Sequence, residues 1–151
     1  MSLKKARSIA SYQFGAGLGN KLFPDGAEVE LRKSGFIESV RFDGERLANF
    51  RLNDGLFTLA IQGAMNLKEK TNKPKNRVIM KEEIDEFIKD GKNAFNKHVV
   101  DLDEDIRKGD EVILVNEEDE LLGSGKATLS SIEIKSFERG TAVEVRNGIN
   151  R

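Results

Sequence analysis

The chain has no cysteine and no tryptophan, a single histidine, one tyrosine and two prolines among 151 residues. Without cysteine there is neither a disulfide nor a thiolate metal site. A lone histidine excludes a histidine-rich zinc site as well. No apolar run approaches the roughly 20 residues that a membrane-spanning helix needs. The first residues, MSLKKARSIASYQFG, lack the apolar segment of a secretory signal. These absences predict a cytoplasmic protein with no membrane partner. An excess of charge of one sign is also missing: the formal net charge is −1, so the global field selects no polyanion.

What the sequence does have is a heavily ionised surface, 34% charged, beside a 38% hydrophobic content that supports one ordinary core or two small ones. The charge is divided unevenly. Residues 1–73 hold 12 basic and 8 acidic side chains, and residues 74–151 hold 13 and 18. This split predicts two units with different surfaces.

Leu3, Ala6, Ile9, Ala10 and Phe14 recur at helical spacing, and Gly15, Gly17 and Gly19 end that helix. Runs around Val29, Val40 and Phe50 then alternate, separated by Asp43-Gly44 and Asn53-Asp54-Gly55, which predicts three or four antiparallel strands ending at Leu56–Leu59. A helix from about Ile61 to Leu67 closes this unit, and the polar segment Glu69–Asn76 reads as a linker. Beyond it the pattern predicts a strand at Arg77–Met80, a short helix over Lys81–Lys89 stopped at Gly91, and strands at Phe95–Val100, Glu111–Val115 and Leu121–Leu129. A short helix at Ser130–Phe137 and a last strand at Thr141–Arg146 follow. So many short strands in so few residues point to a small, nearly closed β-barrel. The fold class is therefore α+β, a small N-terminal antiparallel sheet with helices followed by a barrel, with domains at 1–72 and 75–151.

Four segments carry a resemblance: Asp90-Gly91-Lys92-Asn93-Ala94-Phe95, Ile106-Arg107-Lys108-Gly109-Asp110-Glu111-Val112, Leu121-Leu122-Gly123-Ser124-Gly125-Lys126-Ala127, and Gly140-Thr141-Ala142-Val143-Glu144-Val145-Arg146-Asn147-Gly148. In order and spacing they resemble the PUA domain, the RNA-binding barrel of pseudouridine synthases and archaeosine transglycosylases. Ser11-Tyr12-Gln13-Phe14-Gly15, Asn53-Asp54-Gly55-Leu56-Phe57 and Gly63-Ala64 resemble the domain that precedes PUA in archaeal archaeosine tRNA-guanine transglycosylases and archaeosine synthases. The catalytic barrel of those enzymes has no counterpart in these residues. The resemblance thus implies a non-catalytic RNA-binding protein that positions structured tRNA for a separate modifying enzyme of the archaeosine or pseudouridine type. Alternatives from other classes are an enzyme with an active site at the domain junction, and a protein-interaction subunit of an RNA-modification complex.

In such a family the loop entered through Gly91 and the end of the last strand face the RNA. That makes Gly91, Lys92, Asn93, Lys97 and Arg146 the expected RNA-binding residues. Glycine permits close backbone approach, the lysines neutralise phosphates, Asn93 suits a 2′-OH or base edge, and Arg146 suits a phosphate. Phe95 is expected in the core. No catalytic residue, metal or cofactor is implied. The acidic runs lack the spacing of a calcium loop, and His98 reads as an ordinary strand residue. Gly15–Lys21 reads as a helix-to-strand connection rather than a phosphate loop, because a nucleotide loop opens a helix and this one follows a helix. Arg41 and Arg51 fall on the polar phase of their strands and suggest a basic face. Asn116–Glu120 reads as a solvated hairpin loop.

Overall fold

A computed structural model describes residues 2–151 and divides the chain into two compact units, the first running to Lys70 and the second from Thr71 to Arg151.

The first unit opens with α1 (Ser2–Phe14), whose Ala6, Ala10 and Phe14 are buried one turn apart. Gly15 and Gly17, at φ 141° and 78°, then turn the chain into α2 (Leu18–Leu22). This segment is a tight helix-to-helix corner, not the helix-to-strand connection its glycines suggest. Gly19 explains the tightness: a Cβ there would lie 1.9 Å from the Arg7 carbonyl oxygen, and its amide donates to Ser11 Oγ at 2.8 Å. Four strands follow in an antiparallel sheet of sequential order: β1 (Glu28–Leu31), β2 (Ile37–Phe42), β3 (Glu45–Arg51) and β4 (Leu56–Leu59). Asp43 and Gly44, both at positive φ, make the β2–β3 turn. Gln13 extends the sheet from α1, its side-chain amide exchanging two 2.8 Å hydrogen bonds with the Phe57 backbone. The unit ends in α3 (Ile61–Glu69).

The second unit is a six-stranded, nearly closed barrel. In chain order its elements are β5 (Arg77–Met80), a 3-10 turn (Glu82–Ile84), α4 (Asp85–Lys89), β6 (Ala94–Phe95), a second 3-10 turn (Asn96–His98) and β7 (Val99–Leu102). Then come β8 (Glu111–Asn116), β9 (Leu121–Ala127), α5 (Ser131–Ser136) and β10 (Thr141–Gly148). The strand order is β6-β10-β9-β8-β5-β7, with only β5 and β8 parallel. The two edge strands, β6 and β7, are consecutive in sequence, so the turn at Asn96–His98 bridges the seam covalently. His98 therefore sits in that turn and not in a strand. Val78, Met80, Val112, Leu114, Leu122 and Val143 fill the interior, and Ile88 of α4 and Ile134 of α5 join the same cluster. Each fully buried side chain of this kind contributes about 1.5–3 kcal/mol. Helix α5 is fixed by a capping box: Glu133 N donates to Ser130 Oγ, Ser130 N donates to Glu133 Oε1, and these bonds hold the Glu133 carboxyl below its ordinary pKa.

The β8–β9 connection is exposed at Glu117, Glu118 and Glu120, as its acids suggest, but not at Asn116 and Asp119. Asn116 is fully buried; its Oδ1 accepts from Glu118 N and Glu120 N, and its Nδ2 donates to Asp85 Oδ2 and Glu120 Oε1. Asp119, at φ 63°, pairs with the completely buried Arg77, Nε to Oδ1 at 2.7 Å and Nη2 to Oδ2 at 3.2 Å. Thr71 and the Lys75 carbonyl accept the remaining guanidinium protons. A buried arginine persists only with its hydrogen bonds satisfied, and this hairpin supplies the counter-charge.

Candidate nucleic-acid interface

Three of the expected residues descend from one helix end. Gly91, at φ 91°, follows α4, its amide donates to the Ile88 carbonyl, and the Lys92 amide donates to the Phe87 carbonyl, both at 2.9 Å. This pair of bonds is a Schellman stop, which needs a residue at positive φ where glycine is placed. Lys92 and Asn93 leave the turn exposed. The Asn93 side-chain oxygen accepts from Val145 N at 3.2 Å, so one of its polar atoms is engaged with β10.

The end of β10 docks on the same helix terminus. A Cβ on Gly148 would lie 2.2 Å from the Lys89 oxygen and 2.7 Å from both Gly91 N and the Ile88 oxygen. Asn150 N donates to the Lys89 carbonyl at 2.9 Å, and the Asn150 and Arg151 side chains donate to Asp90. The structure therefore brings the Gly91 turn and the Arg146–Gly148 segment together.

Lys97 stands further along. Phe95 pairs with Thr141, whereas Asn93 meets Val145, so Lys92 and Lys97 lie towards opposite ends of the β6 edge. Lys97 lines an open cleft with Phe95, Glu138, Arg139 and Gly140. Both lysines are exposed and, among the described residues, neither has an ion pair. Phe95 corrects the expected core position: it is 48% exposed, and Asn96, 5% exposed, is the buried residue of this pair.

Arg146 is committed within the barrel. It is the unpaired residue of a bulge between Val145 and Asn147 opposite β9. Its Nη1 reaches across β9 to both oxygens of Glu111 on β8, at 2.8 and 2.6 Å, and the Glu111 side chain is fully buried. In the first unit the suggested basic face is likewise internally paired. Arg41 donates to Glu30 at 2.9 Å and Arg51 to Asp54 at 2.8 Å. Among the described residues no cluster of three or more His, Asp or Glu side chains is arranged to hold a metal ion, and no helix is long and apolar enough to cross a membrane. The sequence reading missed Arg139 and Phe137, which flank the same cleft region; the only signal was an unpatterned SFERG stretch before the last strand.

Comparison with known proteins agrees with this architecture. The chain is 44% identical, over 99% of its length, to the tRNA-guanine(15) transglycosylase of Methanobrevibacter smithii, of which it covers 23%. It is 46% identical over 98% of its length to that of Thermococcus kodakarensis, of which it covers 25%. It thus spans about a quarter of the length of these relatives. Among solved structures, a hypothetical protein from Pyrococcus horikoshii OT3 superposes with a TM-score of 0.79 at 24% identity, covering 99% of this chain and 90% of that one. A conserved PUA domain protein from Thermoplasma acidophilum superposes with a TM-score of 0.70 at 18% identity, covering 99% and 89%. These two show a shared fold. Residues 4–74 match the patch-forming domain C2 of tRNA-guanine transglycosylase and residues 76–149 match the PUA domain. The chain therefore belongs, domain by domain, to the patch-forming C2 and PUA families, in the arrangement of the C-terminal portion of archaeal tRNA-guanine(15) transglycosylases.

Proposed function

We propose that this chain binds structured tRNA through the Gly91 turn and the β6–β10 edge, and positions it for tRNA modification without itself catalysing the reaction. Gly91, Lys92, Asn93, Lys97 and Arg146 form the proposed contact set, and a modifying enzyme of the archaeosine or pseudouridine type is the proposed partner. The observation that carries the reading is the docking of Gly148 on the end of α4, which joins the two segments singled out by resemblance into one surface. Lys92 and Lys97 offer unpaired charge at either end of it, suited to duplex phosphates. Recognition is then by backbone and shape, because the A-form major groove hides its base edges. Arg146 acts mainly by holding this edge in place through Glu111 and presents only its remaining donors to RNA.

The test is tRNA binding across a salt series. Lys92→Ala with Lys97→Ala should weaken binding and lower the log–log salt slope by roughly 0.7–1 per lysine, with the melting temperature almost unchanged. Unchanged affinity and slope would move the RNA to another surface. The purified protein incubated with tRNA and labelled guanine should give no base exchange, and turnover would overturn the non-catalytic part of the proposal.

A further inference from the structure

The first unit carries a cleft of its own, built by the tight corner between its first two helices. Lys4, Arg7, Ser8 and Ser11 recur at i, i+3, i+4 and i+7, so they share one face of α1, while Ala6, Ala10 and Phe14 hold its buried face. Helix α2 is drawn against the Arg7–Ser11 stretch because Gly19 has no side chain. A Cβ there would lie 1.9 Å from the Arg7 carbonyl oxygen and 2.7 Å from Ser11 Oγ. Asn20, the next residue, thereby completes an open cleft of about 650 Å³, lined also by Leu3, Lys4, Arg7, Ser8 and Ser11.

The lining is rich in donors and, among the described residues, has no carboxylate. The Lys4, Ser8 and Asn20 side chains are exposed and have no hydrogen bond or ion pair among the described residues. Arg7 is held in place: its Nε donates to the Phe23 carbonyl at 2.8 Å and its Nη2 to Asp25 at 2.9 Å, and its side chain is only 20% exposed. Asp25 is fully exposed, so this ion pair contributes little and does not close the site. Ser11 Oγ accepts from the Gly19 amide at 2.8 Å, which leaves its hydroxyl proton to donate. The surrounding charge is of one sign, since Ser2–Pro24 contains four basic residues and no acidic one. A fixed guanidinium, a free ammonium, two hydroxyls and an amide around one opening are the groups that hold a phosphate. No aromatic ring lines the cleft among the described residues, so it offers contacts to a phosphate and no stacking platform to a base.

We propose that this cleft is a second RNA-backbone site, carried by the first unit, in which one or two phosphates are held by Lys4 and Arg7 and by donors from Ser8, Ser11 and Asn20. The proposal rests on the RNA-binding reading and adds to the Gly91 surface a contact that reads no sequence. Binding of tRNA by the full chain across a salt series tests it. Lys4→Gln should lower the log–log salt slope by about 0.7–0.9. Lys4→Gln with Ser8→Glu introduces good helix formers at exposed positions and sets a carboxylate against the phosphate. This pair should weaken tRNA binding about tenfold or more, with the melting temperature almost unchanged. Parent-like affinity and slope in that variant, while Lys92→Ala with Lys97→Ala loses both, overturns the cleft and leaves the RNA-binding reading standing. The opposite pattern supports the cleft and overturns the Gly91 surface. Absence of tRNA binding by the parent protein overturns both. A free phosphate is distinguished by titrating inorganic pyrophosphate at constant ionic strength and following the amide resonances of Ser8, Ser11 and Asn20. Tight, saturable pyrophosphate binding there, with no effect of the variant on tRNA, overturns RNA as the source and assigns the cleft to a free phosphate ligand.

Discussion

Arg146→Ala should destabilise the barrel by about 3 kcal/mol, mainly because of what it leaves behind. The Glu111 side chain has no solvent exposure, and Arg146 Nη1 donates to both of its carboxylate oxygens. Removing one partner of a buried pair costs about 3–5 kcal/mol, since the other charge remains desolvated. The Arg146 side chain is 35% exposed, so water reaches the vacated position and the lower end of that range applies. A whole domain is stable by only about 5–15 kcal/mol. At about 4–8 °C per kcal/mol for a domain of this size, the barrel transition should fall by roughly 12–24 °C. Replacing both partners, with Arg146→Met and Glu111→Leu, should recover most of the loss, because neither charge of this pair then remains. Thermal and urea unfolding followed by circular dichroism reads all three variants. Were Arg146→Ala to melt within about 2 °C of the parent protein, the pair would not be what holds Glu111 and the reasoning fails. This result bears directly on function, since a loss of tRNA affinity in Arg146→Ala reports RNA contact only at temperatures where the barrel is still folded.

Gly148→Ala places a methyl group 2.2 Å from the Lys89 oxygen; it should cost about 1–3 kcal/mol and weaken tRNA binding by parting β10 from the Gly91 turn, and a parent-like melt would show that the contact yields freely. Because Thr71 accepts two hydrogen bonds from Arg77, a fragment of residues 71–151 should unfold cooperatively and be more stable than one of residues 75–151 by about 1–3 kcal/mol; equal urea midpoints would contradict this. Ser130→Ala should cost about 1 kcal/mol. The Glu133 carboxyl is lowered in the folded state, so its contribution is present above its unfolded pKa and is lost as pH falls through the folded value. The parent's advantage over Ser130→Ala should therefore shrink on acidification below about pH 4.5, as measured by melting at a series of pH values.

Much of this fold is legible in the sequence because it rests on local signals. The Asp43-Gly44 turn, the Gly91 stop and the alternation through β1, β2 and β3 each predict the element found there. What escaped depends on partners distant in sequence. Nothing near Gly19 says that its missing side chain admits the Arg7 carbonyl, so from sequence the α2 segment looks like a connection. Asp119 looks as solvated as its neighbours Glu117, Glu118 and Glu120 until Arg77, distant in sequence, is brought against it. Phe95 looks like a core residue by type, yet the barrel uses Asn96 inward to tie down the 137–140 segment. At the candidate interface, sequence pattern locates the Gly91 turn and the end of β10 but not their contact, which turns on the absent Cβ of Gly148. Nor does it distinguish Lys92 and Lys97, which are unpaired, from Arg146, which is already engaged.

The strand order of the barrel also sets the sequence of events by which it forms. The first strand made, β5, lies between β7 and the parallel β8, and β6 finds its only strand partner in β10, the last. During synthesis from the N-terminus, β5 and β6 therefore emerge without their β8 and β10 neighbours, while the β8–β9 hairpin can close from nearby residues. Long-range pairings of this kind are slow because the intervening loops must be closed first. By loop length alone, the β8–β9 hairpin has a short closure, whereas β6 can pair with β10 only after β10 has been released. The edge proposed to face tRNA therefore cannot be completed before β10 is made, and until β8 is made the β8-facing flank of β5 stays open to misassociation.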